Sequence, residues 1–211
     1  MKLTASLKEL ADNSIKRHPG AAQDIMRKAI EDLEATDILK HAVKTGDKFP
    51  DFTLPNAQGK TITLSEQLQK GKVVIIFYRG GWCPYCNLEL KAFQEVLPQI
   101  KKKGATLIAI TPETPDNSLS TKEKNELDFE VLTSENNELA RSLNLVFKLP
   151  EALAELYGKF GIDLLESQGN DANELPIAAT YIIDQNGEVS YHFLSEDYKL
   201  RADPEVIIAA L

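Results

Sequence analysis

A run of six consecutive apolar residues, Val73 to Tyr78, is the feature that most restricts the fold of this chain. A continuous apolar run of this length indicates a strand buried on both faces. Ala105 to Ile110 predicts a second buried strand, and a helical segment lies between the two. The chain is therefore expected to form an α/β fold with a mixed sheet and helices on both of its faces. No apolar run approaches the roughly 18 residues that a membrane-spanning helix needs.

Hydrophobic spacing and turn residues predict the other elements. Two amphipathic helices occupy the first forty residues and are separated at His18-Pro19-Gly20. A long helix runs from Pro84 to Lys103, and Pro98 is expected to kink it. Its predicted buried stripe is Leu90, Phe93, Leu97 and Ile100. Shorter strands are predicted at 61–64, 130–133, 177–184 and 189–194, and helices at 138–143, 150–160 and 204–211.

These patterns divide the chain into two parts. Residues 1–43 form an N-terminal helical extension, and residues 44–211 form the α/β domain. An amphipathic helix has to bury its apolar face, so the extension is expected to pack on the body or on a second subunit. A homo-oligomer is therefore one of the arrangements that the sequence leaves open.

Composition and charge exclude several classes of function. The chain has 24 basic and 32 acidic residues and a formal net charge of −8, which argues against binding to nucleic acid or to an anionic membrane. A chain of 211 residues buries about 70% of its unfolded surface, so its core needs no disulfide or structural metal. The first ten residues lack the apolar stretch of a signal peptide, and we expect a cytoplasmic protein.

Cys83 and Cys86 are the only cysteines, and they stand three residues apart where the first buried strand leads into the long helix. At this spacing the two sulfurs share one helical face and can close a disulfide. Such a small ring stabilises a fold by only about 2 kcal/mol, which suits a cycling bridge better than a structural one. Unpaired N–H groups at the helix start favour the thiolate of Cys83, and Arg79 adds a positive charge. The pattern indicates a redox-active dithiol.

Other chemistries have weaker support. Zinc needs four ligands, and His18, His41 and His192 do not have the spacing that would complete a site with the cysteines. Gly80-Gly81 lacks the third glycine of a dinucleotide-binding loop and is interpreted as a turn that needs positive φ. No metal and no organic cofactor is predicted.

Three segments carry a family resemblance. Asp51-Phe52-Thr53-Leu54-Pro55, the stretch from Phe77 to Leu90, and Ala179 to Asp184 with Asn186-Gly187 resemble the alkyl hydroperoxide reductase/thiol-specific antioxidant (AhpC/TSA) family. The resemblance is to the peroxiredoxin-like branch that carries a thioredoxin-style C-x-x-C. It implies a thioredoxin-like fold over residues 44–211. It also implies reduction of hydroperoxides, with thioredoxin or a similar dithiol as the reductant.

The site departs from the usual peroxiredoxin pattern P-x-x-x-T-x-x-C. Arg79 stands at the proline, Cys83 at the threonine and Cys86 at the cysteine that attacks peroxide. Ala178 stands where the family places an arginine before its late strand. Two assignments of the nucleophile follow. Physical reasoning favours Cys83 as the more exposed thiol at the helix start, with Cys86 as its resolving partner, whereas the family pattern favours Cys86.

The remaining candidates and alternatives concern the surroundings of the dithiol. Trp82, Pro84 and Tyr85 are predicted to contact a substrate or partner, although the two aromatic rings are equally suited to packing. Arg201 is a weaker candidate for the site, because a surface salt bridge is the more common role of such a residue and is what we expect here. Besides peroxide reduction, the sequence leaves open thiol–disulfide exchange with protein or small-molecule disulfides, and a non-catalytic redox-sensing module.

Overall fold

A computed structural model of the protein describes residues 2–211. Within these residues there are nine strands and nine α-helices, and short 3₁₀ turns lie at Ile38–Lys40 and Glu135–Asn137. The strands are β1 (Thr53–Pro55), β2 (Thr61–Thr63), β3 (Val73–Phe77), β4 (Thr106–Thr111), β5 (Glu130–Thr133), β6 (Val146–Lys148), β7 (Glu174–Pro176), β8 (Ala178–Ile183) and β9 (Val189–Ser195). The helices are α1 (Leu3–Arg17), α2 (Ala21–Glu34), α3 (Leu64–Leu68), α4 (Pro84–Lys102), α5 (Pro115–Lys124), α6 (Glu138–Ser142), α7 (Glu151–Lys159), α8 (Leu164–Gln168) and α9 (Pro204–Ala210).

The central sheet has five strands in the order β5-β4-β3-β8-β9. β3 is parallel to β4 and β4 is parallel to β5, whereas β8 is antiparallel to β3 and β9 to β8. Ile75 in β3 stands opposite Ile108 in β4 on one side and Tyr181 in β8 on the other. The sheet is therefore mixed, as predicted, and β3 is its middle strand.

Both faces of the sheet are covered. Val74 and Ile76 pack in the core cluster that contains the buried sides of α4 and α9. Val73, Ile75 and Phe77 pack in the cluster formed with α3, α6 and the segment around Phe52. Because alternate residues of β3 point to opposite faces, the strand needs an apolar residue at every position. The predicted arrangement of helices on both faces is confirmed.

Helix α4 leads away from the end of β3 and carries the two cysteines at its start. Its predicted stripe is buried at all four positions: Leu90, Phe93, Leu97 and Ile100. Pro84 is the first helical residue, where its missing N–H leaves no hydrogen bond unmade. The helix continues past Pro98 and ends at Lys102, one residue before the predicted end.

Two small elements were not predicted from the sequence. β6 pairs with β7 as an antiparallel ribbon, with Phe147 opposite Leu175, and α8, a helix of five residues, lies between the two strands in the chain. Glu174, assigned to a loop by the sequence, is the first residue of β7. Three-residue strands and single-turn helices are too short to show a hydrophobic period, which explains the omission.

The N-terminal helices pack on the body of the same chain. Leu3 and Leu7 of α1 are buried in the cluster that surrounds α4, and Met26 of α2 is buried against residues of α7 such as Leu153. A boundary between two domains at residues 43 and 44 stays a prediction. None of the helices within residues 2–211 is both long enough and apolar enough to span a bilayer.

The packing of α1 predicts a difference between two of its residues. Leu7 is 5% exposed, so Leu7→Ala removes buried methyl groups and is expected to lower the free energy of unfolding by about 2–5 kcal/mol. Ile15 in the same helix is 54% exposed, and Ile15→Ala is expected to change it by no more than about 0.5 kcal/mol. Urea denaturation of both variants measures the difference. Equal midpoints would contradict the docking of α1 on α4.

Candidate active site

The loop between β3 and α4 is shaped by two glycines. Gly80 has φ +153°, and a side chain there would overlap the indole nitrogen of Trp82 and lie 2.8 Å from Oε1 of Glu113. A Cβ atom on Gly81 would overlap the hydroxyl of Thr121. Gly80 therefore has the positive φ that the sequence predicts, and Gly81 is required by a close side-chain contact instead. Because neither glycine has a side chain, the loop packs closely against Glu113 and Thr121 before it leads into α4 at Cys83.

Cys83 caps α4, and Cys86 lies in its first turn. Cys83 is 1% exposed and Cys86 is fully buried, and both are free thiols. Cys83 is the more exposed of the two thiols, as predicted, but only by this small margin, because side chains from α1, α2 and α7 surround the start of α4. The two cysteines differ in another way: Cys83 lines a cavity, whereas Cys86 is not among the residues that line it.

The surroundings of Cys83 favour its thiolate. Burial alone would raise the pKa of Cys83. This effect is outweighed by the hydrogen bond from the Cys86 side chain, by the charges of Arg79 and Arg201, and by the backbone N–H of Cys86. Together they lower the pKa of Cys83 from 9.0 to about 6. Burial and the neighbouring Cys83 raise the pKa of Cys86 well above its usual range, so Cys86 stays a thiol when Cys83 is ionised.

Arg79 holds its charge beside the cysteines inside an aromatic enclosure. Its side chain is buried, and Nη2 donates a 2.7 Å hydrogen bond to the hydroxyl of Tyr157. The guanidinium carbon lies 4.8 Å from the ring centre of Tyr198, 5.6 Å from that of Trp82 and 5.9 Å from that of Tyr157. Aromatic faces stabilise a cation that has lost its water, which explains how this charge is kept at 2% exposure.

Arg201 is the second cation at the site. Nη2 donates a 3.3 Å hydrogen bond to Sγ of Cys86, and Nε donates a 2.6 Å hydrogen bond to Oε2 of Glu89. Nη1 donates to the carbonyl groups of Tyr198 and Leu200. The prediction of a surface salt bridge is therefore wrong, because the side chains of Arg201 and Glu89 are each only 1% exposed. A buried guanidinium needs all of these acceptors, and Arg201 finds them beside the dithiol.

Glu89 is the acid nearest to this second cation. Its burial raises the pKa to about 8, the charge of Arg201 opposes that shift, and the charge of Cys86 adds to it. A carboxyl group with such a pKa can exchange a proton near neutral pH. Glu89 stands three residues after Cys86 and therefore on the same helical face, a spacing that would have allowed the sequence to identify it.

Glu113 lies behind the glycine loop, on the side of a second cavity of about 290 Å³. Oε2 accepts a 2.9 Å hydrogen bond from the N–H of Gly81, and Oε1 accepts one of 3.1 Å from the hydroxyl of Ser167. Burial raises the pKa of Glu113 to about 7, and these two hydrogen bonds oppose the shift. Glu113 therefore helps to fix the loop that carries Arg79 and Cys83.

A cavity of about 510 Å³ opens beside Cys83. Trp82, Pro84 and Tyr85 all line it, so the structure brings the three predicted contact residues together around the thiol. Pro84 is exposed, Trp82 is half-buried, and Tyr85 is buried with its ring 5.4 Å from that of Tyr198 in an edge-to-face contact. Their role in binding stays a prediction.

Sequence reasoning missed Tyr157, Tyr198 and Glu113, and it misplaced Arg201. Tyr157 lies 78 residues along the chain from Arg79, which it contacts, and Arg201 lies 115 residues from Cys86. No local sequence pattern signals a contact over such a separation. His192, which the sequence places in a strand, accepts a 3.0 Å hydrogen bond from the backbone N–H of Thr45. Within residues 2–211 no three His, Cys, Asp or Glu side chains are grouped so that they could hold a metal ion.

Comparison with known proteins gives matches over most of the chain. Residues 45–192 match the profile of the AhpC/TSA family. The chain is 30% identical to the chloroplastic peroxiredoxin Q of Gentiana triflora over 148 residues, which are 70% of this chain and 57% of the plant protein. It is 22% identical to peroxiredoxin Bcp of Escherichia coli K12 over 166 residues, which are 79% of this chain and 94% of the bacterial protein. The chain thus spans less than three fifths of the plant relative.

The fold comparison agrees with the sequence comparison. The crystal structure of peroxidoxin BcpB from Mycobacterium tuberculosis superimposes with a TM-score of 0.63 at 21% identity, over 80% of this chain and 96% of the other. The predicted thioredoxin-like fold is thereby confirmed. The chain belongs to the AhpC/TSA family.

Proposed function

We propose that the protein is a peroxiredoxin-like thiol peroxidase that reduces hydroperoxides through a Cys83/Cys86 dithiol–disulfide cycle. The observation that carries the proposal is the pairing of Cys83, which lines a cavity at the start of α4, with Cys86, which lies in the first turn of that helix and forms a hydrogen bond with Cys83. Membership of the AhpC/TSA family supports it, as do relatives named peroxiredoxin Q and peroxiredoxin Bcp.

Cys83 carries out the first step. Its thiolate attacks the terminal oxygen of the hydroperoxide, the O–O bond breaks, and the alcohol leaves after taking up a proton. Sulfur is oxidised to the sulfenic acid and the peroxide is reduced by the same two electrons. Arg79 stabilises the thiolate and the negative charge that develops on the leaving oxygen, in place of the threonine hydroxyl and the late-strand arginine that the family pattern contains. A pKa of about 6 means that about nine-tenths of Cys83 is thiolate at pH 7.

Cys86 completes the oxidative half of the cycle. Its thiol sulfur attacks the sulfenic acid of Cys83, a disulfide forms, and water leaves with the thiol proton. In the reductive half, thioredoxin or a similar dithiol attacks the bridge at Cys83, since Cys83 is the sulfur that faces the cavity. Cys86 then leaves as a thiolate, which the hydrogen bond from Arg201 stabilises, and the second thiol of the reductant attacks the mixed disulfide and releases Cys83. A protein reductant needs a local opening of the N-terminal helices, because Cys83 is 1% exposed.

Thiol–disulfide exchange is the second candidate function. The contrast between a low-pKa Cys83 and a high-pKa Cys86 is the asymmetry that disulfide exchange also uses. Stopped-flow reaction of the reduced protein with hydrogen peroxide separates the two functions. A rate constant well above that of a free thiol supports peroxide reduction, and one no higher than a free thiol leaves exchange or redox sensing. A cytoplasmic location and self-association stay predictions.

The two cysteine variants are expected to differ after one equivalent of hydrogen peroxide. Cys86→Ser retains the attacking sulfur but lacks the resolving thiol, so it should accumulate a sulfenic acid at Cys83. Cys83→Ser should show no oxidation above that of a free thiol within the same time. Mass spectrometry after dimedone trapping measures both. A sulfenic acid on Cys86 in the Cys83→Ser variant would transfer the peroxidatic role to Cys86, as the family pattern suggests.

The low pKa of Cys83 predicts a dependence of stability on pH. The unfolded thiol holds its proton up to its ordinary pKa of 9.0, whereas the folded thiol loses it above about 6, so unfolding takes up a proton between these values. The free energy of unfolding of the reduced protein, compared with that of Cys83→Ser, should therefore increase as the pH rises from 6 to 9. Below pH 6 this contribution of Cys83 should be absent. Urea unfolding of both proteins under reducing conditions at pH 5.5, 7 and 8.5 measures it. A difference that does not vary with pH would refute the low pKa.

Arg201 is expected to act mainly in the reductive half of the cycle. Arg201→Lys keeps a positive charge but cannot contact Cys86, Glu89 and two carbonyl groups at once. We expect the disulfide of this variant to be reduced by dithiothreitol at least tenfold more slowly, because Cys86 becomes a poorer leaving thiolate. Lys199→Arg is the matched control, since the charged group of Lys199 pairs with Asp197 and the ring of Tyr198 and with no other residue of the range 2–211. An unchanged rate in Arg201→Lys would remove Arg201 from the mechanism.

A further inference from the structure

Gly81 is held by side chains from two other segments of the chain. Its N–H donates a 2.9 Å hydrogen bond to Oε2 of Glu113, which follows β4, and its carbonyl group accepts one of 2.8 Å from Nδ2 of Asn87 in α4. Glycine has more conformational freedom than any other residue, so a glycine loop keeps one position where other groups fix its backbone. Glu113 and Asn87 together fix both backbone groups of Gly81, and we call this pair the Gly81 clamp.

The position of Gly81 determines that of Cys83. The N–H of Cys83 donates a 3.1 Å hydrogen bond to the carbonyl group of Gly80, which closes the turn between the loop and α4. The carbonyl group of Cys83 accepts a 3.1 Å hydrogen bond from the N–H of Asn87. Asn87 therefore contacts both Gly81 and Cys83, and a displacement of Gly81 is transmitted to the thiol through a single turn.

The C-terminal end of α5 connects the two members of the Gly81 clamp. The hydroxyl of Thr121 donates a 3.4 Å hydrogen bond to Oε2 of Glu113. Nδ2 of Asn125 donates to the carbonyl group of Thr121 at 2.9 Å and to Oδ1 of Asn87 at 3.0 Å. Glu113, Thr121 and Asn125 are buried. These hydrogen bonds form a closed ring that includes Gly81, so a change at Glu113 alters the support of the whole loop.

Glu113 is the member of the Gly81 clamp that can change its charge. Three donors meet its carboxylate: the N–H of Gly81, the hydroxyl of Thr121 and the hydroxyl of Ser167. A hydrogen bond to an ionised acceptor is about twice as strong as one to a neutral acceptor. Because burial raises the pKa of Glu113 to about 7, the clamp is strong above neutral pH and weaker below it.

The other titratable groups near Glu113 come from four segments. They are Tyr78 after β3, Cys86 in α4, Lys124 in α5, and Asp163 and Glu166 at the start of α8. Burial raises the pKa values of Tyr78 and Cys86 well above their usual ranges, so both keep their protons near pH 7. The other three are exposed, and water and salt screen their charges. Arg79 and Cys83, from the loop itself, line the other cavity. The change of charge beside Gly81 near pH 7 therefore comes from Glu113.

We propose that Glu113 is a positioning residue for the resolving step, and that its ionised carboxylate, acting through Gly81, holds Cys83 where Cys86 can attack it. The proposal rests on the proposed function and adds a residue to its oxidative half. A disulfide needs the two Cβ atoms about 3.5–4.5 Å apart, so a loop that is free to move away from α4 closes the bridge less often. Protonation of Glu113 weakens the Gly81 clamp and thereby slows closure.

Closure of the bridge can be measured without peroxide. The thiolate of Cys83 attacks the disulfide bond of 2,2′-dithiodipyridine, and a first thiopyridone leaves. Cys86 then attacks the mixed disulfide at Cys83, gives up its thiol proton and expels a second thiopyridone, whose absorbance follows the closure step alone. A protein that reduces hydrogen peroxide no faster than a free thiol would refute the proposed function and leave this measurement intact.

Glu113→Gln keeps an acceptor for the N–H of Gly81 but cannot ionise. The closure rate constant of this variant, divided by that of the wild type at the same pH, should be about one at pH 5.5. At pH 8.5 the ratio should fall to between about one half and one thirtieth, with a midpoint near pH 7. Glu113→Ala removes the acceptor and should close more slowly than Glu113→Gln at both pH values. Glu166→Gln, an exposed acid on the same cavity, is the matched control and should keep the wild-type rate.

Two other roles of Glu113 predict different results. A carboxylate that acted only through its charge would disfavour the Cys86 thiolate, so Glu113→Gln would close faster than the wild type at pH 8.5. A carboxylate that accepted the proton of Cys86 would be lost equally in Glu113→Gln and Glu113→Ala, and the two rates would be the same. Either result, or a ratio that does not vary with pH, would overturn the proposal.

Asn87→Ala decides the question even if Glu113→Ala does not fold. This variant removes the second bond of the Gly81 clamp and leaves the carboxylate of Glu113 in place. A positioning role predicts slower closure in Asn87→Ala at both pH values. Closure at the wild-type rate would show that the hold on Gly81 does not govern the step, and would overturn the proposal.

Discussion

The burial of two arginine side chains beside a dithiol is the constraint on which the rest of this structure depends. As whole residues Arg79 is 2% and Arg201 is 6% exposed, and a buried cation is costly unless a charge or several acceptors compensate it. Arg79 has one tyrosine hydroxyl and three aromatic rings, and Arg201 has a carboxyl group, two carbonyl groups and a thiol. The Cys83 thiolate provides the missing negative charge. The same positive charge that the fold has to accommodate therefore lowers the pKa of Cys83.

The fold brings these groups together through its middle strand. β3 is buried on both sides and ends at the loop whose glycines direct Cys83 to the start of α4. Arg201 contacts Cys86 in the first turn of α4 from the segment before α9, and Tyr157 contacts Arg79 from α7. A chemical difference between two identical side chains follows: Cys83 faces a cavity and ionises, whereas Cys86 is enclosed and keeps its proton. Residues of α1 and α2 line the cavity beside Cys83 and so help to cover the site.

Local patterns allowed much of this architecture to be predicted, because they report what each segment buries. The continuous apolar residues of β3 predicted the centre of the sheet, and the spacing from Leu90 to Ile100 predicted the buried face of α4. The position of Cys83 before Pro84 predicted a helix start with a reactive thiol. Asp203 stands directly before the helix predicted at 204–211, and it caps α9 with a side chain that accepts the N–H of Glu205 at 2.9 Å.

Contacts between distant segments could not be predicted in the same way. Arg201 was assigned to the surface because charged residues are usually exposed, and only the fold shows that Glu89 and Cys86 surround it. The exposure of Cys83 was overestimated because α1 and α2 were treated as an extension whose partner was unknown. The three-residue strand β6 has no period from which to predict it.

The ionisation of Cys83 is the central claim, and NMR of the reduced protein tests it most directly. Labelling the cysteine Cβ carbons with ¹³C and recording their shifts from pH 4 to pH 10 follows each thiol separately. The account predicts that the Cys83 signal titrates with a midpoint near 6 and that the Cys86 signal remains that of a thiol through neutral pH. Two thiols that both titrate near the ordinary value of 9.0 would contradict it.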